Sequence, residues 1–337
     1  MSDPTKRPGP LNGVRVLDFS MFLAGPYAGR LLADHGAEVI KIEPPGGETI
    51  RSAHPVVDGK SRYFAQLNAG KKCITLDLKS EEGKAAVQKL IVDSDVVLEN
   101  FRPGVLDRLG LGYEFLNEIN PRVIYCAISG YGPVGPNSSR PAFAPIVHAH
   151  AGYDMTVFEY ANVSDRPINN RSTAGDILAS AHAFGAISAA LYGREKSGQG
   201  ERIDVTLEGG MHNLLYYEVQ QAQVQSDIPP LVYSPVRAKD GFLMVVPVSD
   251  PNLRAMAKAT GREDWAEDPR YNTVGERWKH WNDLMSELEE WAIGHTAEEA
   301  EKILLEAGCP ATRYQSVSEV VKDKALKETG GLVQIND

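Results

Sequence analysis

The sequence predicts an α/β fold, a Rossmann-like doubly wound parallel sheet with a second, smaller α/β domain. Three observations predict it. Short β-branched runs alternate with helical patterns from Val14 to Ile128. The joining helices are long enough for right-handed crossovers, which pair the strands in parallel. With 337 residues the chain is also longer than one ordinary domain of roughly 150 residues. The prolines of Ile228-Pro-Pro230 mark the boundary between a large domain, 1–226, and a small one, 227–337.

The first strand is Val14 to Phe19, and Ala24-Gly-Pro26 leads from it into the helical pattern Tyr27 to Ala37. A second strand, Glu38 to Glu43, completes a β-α-β unit. The alternation continues with strand Cys73 to Leu78, helix Glu81 to Val92, strand Asp95 to Glu99, a helical stretch Leu106 to Ile119 and strand Val123 to Ile128. Gly130 to Ser139 is rich in Gly, Pro and Ser and reads as an extended loop leaving the carboxyl end of a strand, where α/β proteins place their sites. Ala174 to Arg194 is dense in small apolar residues, as suits a helix packed closely on its neighbours. Gly198-Gln-Gly200 ends it, and strand Arg202 to Val205 and helix Leu207 to Val224 follow. The small domain holds a strand at Phe242 to Val246, helices near Leu253 to Thr260 and Arg277 to Ile293, and a last helix at Ala297 to Ala307.

Composition narrows the function. Lys and Arg number 35 against 45 Asp and Glu, a net charge of −10 that repels nucleic-acid phosphates and anionic membranes. Cys73, Cys126 and Cys309 lie far apart and form neither a CxxC pair nor a Cys/His cluster, so no disulfide framework or zinc site is implied. No signal-peptide pattern and no apolar run of membrane-spanning length occurs. The expectation is a cytoplasmic protein with no nucleic-acid partner, no membrane partner and no metal.

The P-loop, G-x-S-x-G and H-E-x-x-H patterns are absent, and the turn after the first strand lacks G-x-G-x-x-G. His148-Ala-His150 is the closest histidine pair, yet metal binding needs a further ligand set around it. The most informative carboxylate is Asp176, after Gly175 at the start of the small-residue helix. As a structural residue it is a first-turn Asp, stabilising the helix by ~1 kcal/mol. As a functional one it is a nucleophile, held ionised beside backbone donors that can receive a developing oxyanion.

Longer motifs bear on that choice. Leu11-Asn-Gly-Val-Arg-Val-Leu-Asp-Phe-Ser20, Ala24-Gly-Pro26, Leu31-Leu-Ala-Asp-His-Gly-Ala-Glu-Val-Ile-Lys-Ile-Glu43 and Glu99-Asn-Phe-Arg-Pro-Gly104 closely resemble the family III coenzyme A transferases, the CaiB/BaiF group. The resemblance continues through Asn120 to Tyr125, Ser129-Gly-Tyr-Gly132, Gly175-Asp176, Gly198 to Val205, Asp268-Pro-Arg270 and Ala307-Gly-Cys-Pro310. It implies that Asp176 is the nucleophile. Its carboxylate would attack an acyl-CoA thioester to give an aspartyl anhydride, and the CoA thiolate would return to form an aspartyl-CoA thioester. An acceptor carboxylic acid would then take up the CoA. No cofactor is implied beyond coenzyme A itself, the substrate and carried group. The CoA contacts so implied are Leu23 and Ala24, Leu76, Asp77, Leu78 and Lys79, Asn100, Phe101 and Arg102, Arg108, and Ala142, Phe143 and Ala144. Arg108 and Lys79 would face phosphate or the adenine ribose; otherwise each is a solvated cation.

The resemblance also implies a homodimer of two interlocked, ring-like chains. Several positions depart from the pattern. Leu23 stands where oxalate-using members have Gln, Pro44 replaces an Arg directed at phosphate, and a glycine-rich flap near Tyr233 to Gly241 is missing, which points away from oxalate and formate. The family pattern ends in a C-terminal passage that returns to the large domain, and against it the expectation here is a passage shortened or absent after Leu332. Two alternatives stand beside CoA transfer. One is an α-methylacyl-CoA racemase, whose catalytic histidine would fall at Phe143-Ala144, leaving His148 or His150 to substitute. The other is a non-catalytic acyl-CoA-binding protein.

Overall fold

The computed structural model describes residues 9–161, 165–168, 170–224 and 231–332. The chain divides into two compact units, Met1–Gln223 and Val224–Asp337. The expected boundary, 228–230, lies outside the described residues.

The first unit is built on six parallel strands: β1 (Arg15–Asp18), β2 (Glu38–Glu43), β5 (Lys72–Thr75), β6 (Val96–Glu99), β7 (Ile124–Ser129) and β8 (Arg202–Thr206). Their order is β5-β2-β1-β6-β7-β8, and every neighbouring pair is parallel. Sequence order reverses between β1 and β6, the switch point of a doubly wound sheet. A small hairpin, β3 (Val56–Val57) with β4 (Lys60–Ser61), stands apart. Each central strand is buried on both faces, which is why it reads as a continuous apolar run. Val16, Val96, Leu98, Ile124, Cys126 and Ile128 face one helical layer. Leu17, Val97, Tyr125 and Ala127 alternate with them and face the other.

The first layer contains α1 (Ala24–Asp34), which packs against α8 (Ala174–Ser197). By length and composition α8 could cross a membrane, but here its residues Ala179, Ala183 and Ile187 sit in the core. The second layer draws on α3 (Glu81–Ile91), α4 (Val105–Arg108) and α5 (Tyr113–Ile119). Further helices are α2 (Arg62–Asn68), α6 (Ala144–His150), α7 (Tyr153–Ala161), α9 (Leu207–Leu214) and α10 (Tyr216–Gln221).

The second unit has a three-stranded antiparallel sheet, β11-β10-β9 (Ala311–Arg313, Phe242–Val245, Val236–Arg237). Around it lie α11 (Asp250–Thr260), α12 (Val274–Lys279), α13 (Trp281–Ala292), α14 (Ala297–Glu306) and the short α15 (Val317–Val320) and α16 (Lys324–Glu328). Its core is built on Trp265, Tyr271 and Trp281. The buried Arg277 guanidinium fixes the loops by donating to the Tyr271 and Val248 carbonyls and pairing with Asp250 at 2.7 Å.

Three stretches expected as single helices are broken. Leu106 to Ile119 divides into α4 and α5, because Gly110 takes φ +74° and Gly112 packs where a Cβ would strike Asp107. Leu207 to Val224 breaks at Leu215 (ψ 30°) and Arg277 to Ile293 at His280 (ψ 23°). The helix expected from Tyr27 begins three residues earlier, so Ala24, Gly25 and Pro26 form its first turn, with Pro tolerated where an N–H donor would have no intrahelical acceptor. The strand expected to Leu78 ends at Thr75, which frees Leu76 to Lys79 for the turn beyond the sheet edge.

Two glycines test this packing in opposite directions. Gly185 lies on the exposed side of α8 with nothing within 4 Å of a built Cβ, so Gly185→Ala should stabilise the chain by about 0.5–1 kcal/mol. At Gly200, before β8, a Cβ would sit 1.9 Å from the Val123 carbonyl oxygen, so Gly200→Ala should cost at least about 2 kcal/mol. Urea unfolding midpoints of the two variants check both signs.

Candidate active site

Loops leaving the carboxyl ends of β1, β6 and β7 surround a cavity of about 300 Å³. It therefore opens at the switch point, where a crevice between diverging loops is built into this topology. Phe22, Leu23 and Ala24 come from the first loop, Asn100 to Pro103 from the second, and Ser129 to Phe143 contribute the third wall. Asp176 and Leu207 close it from behind.

Asp176 is the third residue of α8. Thr173, the helix N-cap, makes no side-chain cap, so the first-turn donors are satisfied from elsewhere. The Ala174 N–H donates to Ser172 Oγ at 3.2 Å, and the Gly175 N–H donates to His148 Nε2 at 3.0 Å. Ser180 Oγ reaches both the Asp176 carbonyl (2.7 Å) and the Ala24 carbonyl (2.6 Å), tying α8 to α1. The Asp176 side chain enters none of the ion pairs among the described residues. Burial without a neighbouring cation pushes its carboxyl up to about 6. Burial also pushes the His148 imidazole down, with Asp154 working against it.

The β1 loop is held by buried polar groups. Asn100 clasps Met21 twice, accepting from its N–H at 2.8 Å and donating to its carbonyl at 2.7 Å. Asp18 Oδ1 accepts from the Ser20 N–H at 2.9 Å and from the Ser20 hydroxyl. Lys71 Nζ meets Asp18 Oδ2 at 2.8 Å, the Pro26 carbonyl at 2.7 Å and Asn68 Oδ1 at 3.0 Å. Lys41 Nζ donates to the Ser20 carbonyl at 2.7 Å and lies 3.3 Å from Glu48. Burial alone would raise the Asp18 carboxyl, yet Lys71, Lys41 and Ser20 outweigh it and hold the group below its ordinary range. This frame keeps Phe22 at φ +65°, a left-handed conformation rare for a bulky residue. Its ring, exposed at the cavity mouth, meets Phe143 edge-on at 5.9 Å.

The sequence-predicted residues fall into two cavities. Leu23, Ala24, Asn100, Phe101, Arg102, Ala142, Phe143 and Asp176 line the first. Leu76, Asp77, Leu78 and Lys79 line a second cavity of about 190 Å³ with Phe19, Ile42 and Pro44, and Phe101 faces both. Ala144 is buried at the start of α6 and reaches neither cavity. Arg108 ends α4 on the surface near Gly104, outside both linings. Sequence reasoning missed Phe22, Tyr131, Arg140 and the bond from Gly175 to His148. Tyr131 lies in the loop singled out for its turn residues, and Arg140, one residue beyond that loop, stacks over the Tyr131 ring at 5.3 Å. Nothing in the sequence marks the other two. Among the described residues no group of three His, Cys, Asp or Glu side chains is placed to hold a metal.

This arrangement matches a known family. The model for CoA-transferase family III covers residues 11–337, and the chain belongs to that family. Succinyl-CoA–D-citramalate CoA-transferase of Chloroflexus aurantiacus is 34% identical, with 98% of this chain and 84% of that protein covered. Acetyl-CoA:oxalate CoA-transferase of Acetobacter aceti is 33% identical, covering 94% of this chain and 83% of its own. Among solved structures, an aspartate-to-alanine mutant of Rv3272 from Mycobacterium tuberculosis superposes with a TM-score of 0.88 at 32% identity, covering 98% of this chain and 89% of its own. A CaiB/BaiF family protein from Brucella suis gives 0.80 at 30% identity, covering 96% and 89%. This chain is a CoA-transferase.

The Asp176 environment has a measurable consequence for stability. Its carboxyl stands at about 6 in the folded chain against an ordinary 3.8, so the ionised form opposes folding. That penalty is complete above pH 6, shrinks as the folded state takes up its proton first, and is gone below roughly pH 4, where both states are protonated. The shift is worth on the order of 3 kcal/mol, and the helix N-terminus and solvent screening offset part of it. Asp176→Asn should therefore be more stable than the native chain by roughly 1–2 kcal/mol at pH 7.5 and equal to it at pH 4. Thermal unfolding across that range checks the sign. A difference independent of pH would mean that Asp176 titrates normally.

Proposed function

We propose that this chain moves coenzyme A from an acyl-CoA donor to a carboxylic acid acceptor, with Asp176 as the covalent nucleophile. The observation that carries the reading is a half-buried carboxylate with no cation partner among the described residues, at a helix N-terminus, facing a cavity at the switch point of the sheet. Such a carboxylate is ionised at neutral pH yet not tied up in a salt bridge, which leaves a lone pair free to attack.

One Asp176 oxygen attacks the thioester carbonyl, the C–S bond breaks, and CoA leaves as thiolate from a mixed anhydride. The thiolate then attacks the aspartyl carbonyl, releasing the donor acid and leaving an aspartyl-CoA thioester. The acceptor carboxylate attacks that thioester, and the same two steps in reverse deliver the new acyl-CoA and free Asp176. No net proton or electron is exchanged, so the chemistry calls for no cofactor besides CoA. What the site supplies is desolvation of the anhydride and donors for each oxyanion. Helix geometry leaves the N–H of Asp176 itself as such a donor.

Leu23, Ala24, Asn100, Phe101 and Arg102 would hold the thioester arm of CoA beside Asp176. The turn Leu76 to Lys79 would receive the adenine end in the second, more apolar cavity, with Phe101 between the two. Arg102 and Arg108 would meet the phosphates. The racemase alternative needs a free acid/base pair, and the histidines do not supply it. His148 Nε2 is engaged by the Gly175 N–H and His150 by Glu208 at 2.9 Å. The same reading carries a homodimer and a cytoplasmic setting, which suits three cysteines without a disulfide.

Asp176→Ala should abolish CoA transfer while the chain stays folded, and incubation with acyl-CoA should leave a CoA adduct that mass spectrometry maps to the peptide containing Asp176. Turnover in the variant, or an adduct on a cysteine, would sink the assignment. Arg102→Ala and Arg108→Ala should each weaken acyl-CoA binding by roughly 1.5–3 kcal/mol, raising its KM about 10- to 100-fold with kcat little changed. Steady-state constants for donor and acceptor separate these outcomes. An unchanged donor KM in either variant assigns that arginine to the surface alone.

A further inference from the structure

We infer that His148 is a positioning residue for CoA transfer, acting as a neutral imidazole whose unprotonated Nε2 holds the first turn of α8 and so aims Asp176. The inference rests on the proposed role of Asp176. His148 lies on α6, 27 residues before Gly175, and is only 1% exposed. Because Nε2 accepts the Gly175 N–H at 3.0 Å, that nitrogen carries no proton, and the proton of the neutral ring is on Nδ1.

Two further observations make this contact more than incidental. The helix has no side-chain N-cap from Thr173, so His148 does the capping work from another element. The fit is also close. A Cβ on Gly175 would lie 3.4 Å from Nε2 and 3.5 Å from Met211 Sδ, so the turn is seated against both side chains. Tyr153 meets the imidazole edge-on at 5.3 Å and fixes its plane. Ser180 bonds the carbonyl of Asp176 on the opposite side. The residue between these two anchors is the nucleophile. Removing the acceptor leaves a buried N–H without a partner, which is relieved only by displacement of the turn. Displacement of a nucleophile by about 1 Å is enough to cost two orders of magnitude in rate.

The test uses the full-length enzyme and three readouts. His148→Leu keeps the volume and removes the acceptor. It should lower kcat roughly 10- to 100-fold while the acyl-CoA KM moves less than about 3-fold, because Leu23, Ala24, Leu76 to Lys79 and Asn100 to Arg102 lie on other elements and only Ala142 to Ala144 border α6. His148→Gln restores an acceptor without an ionisable ring and should return kcat to within about 3-fold of wild type. Nitrogen-15 NMR of histidine-labelled wild-type enzyme should show one imidazole, absent from the Gln variant, with Nδ1 protonated and Nε2 bare at neutral pH. A Leu variant with wild-type kcat, a Gln variant no better than Leu, or an Nε2–H ring would each overturn the inference. Should the Leu variant fail to fold, the Gln variant and the wild-type spectrum decide. Transfer that survives Asp176→Ala would overturn the proposed function instead, and the ring tautomer would still report on the His148–Gly175 contact.

Discussion

The site depends on a ladder of buried charge beneath the β1 loop. Asp18, Lys41, Glu43 and Glu48 are all nearly or wholly buried, with Lys71 and Arg51 joined to them. All but Arg51 fix a backbone group as well as a partner. Asp18 holds the Ser20 N–H, Lys41 the Ser20 carbonyl, Lys71 the Pro26 carbonyl, Glu48 the Phe22 N–H at 3.3 Å and Glu43 the Glu48 N–H at 3.0 Å. Taking this many charges out of water is expensive, and apolar packing of the same volume is often as stable or more so. What the ladder provides is a single conformation for a strained turn, with Phe22 at positive φ. The loss of one member would leave another charge buried and alone, at a cost of roughly 3–5 kcal/mol.

The same logic joins the walls of the cavity. Asn100, 79 residues from Met21, bonds both polar groups of its peptide backbone and so locks the β6 loop to the β1 loop across the switch point. Ser180 bonds the carbonyls of Ala24 and Asp176 and locks α1 to α8. Apolar packing of the two layers sets where the helices lie to within about an ångström or two, because side chains tolerate small shifts. The directional bonds remove that remaining freedom where the cavity needs it. Covalent chemistry on a bound thioester is sensitive to displacements of this size.

Much of this was legible in the sequence, and the rest was hidden for physical reasons. The parallel sheet could be read because strands such as β6 and β7 are buried on both faces and so appear as apolar runs. Helix breaks at Leu215 and His280 could not be read, since neither residue is a helix breaker and tertiary packing sets their backbone angles. Nothing in the sequence marks Lys41, in the strand Glu38–Glu43, as buried, yet it is 0% exposed. Its burial is possible only because Glu48 and the Ser20 carbonyl reach it from other segments. The ENFRPG turn could be placed at the site by its resemblance. Phe22 and the His148–Gly175 bond could not, because each is defined by contacts between positions distant in sequence. Ala144 and Arg108 fall outside the two cavity linings, the first buried at the start of α6 and the second exposed at the end of α4.

Asp18 and Asp176 show how one residue type takes opposite properties in one unit. Both lie close to α1, and both are removed from bulk water. Asp18 is fully buried but surrounded by two ammonium groups and a hydroxyl, so its charge is held firmly and both its oxygens are engaged. Asp176 is less buried and pairs with no cation among the described residues, so burial acts on it and its carboxyl rises. A carboxylate in the first state is a poor nucleophile, because attack would break its ion pair with Lys71. One in the second state gains by bonding to carbon, since forming the ester-like anhydride discharges an anion that its surroundings solvate badly. The fold therefore separates the two roles through the placement of Lys41 and Lys71. Both cations are spent on Asp18 and the turn beneath the cavity, which leaves the carboxylate inside the cavity free to react.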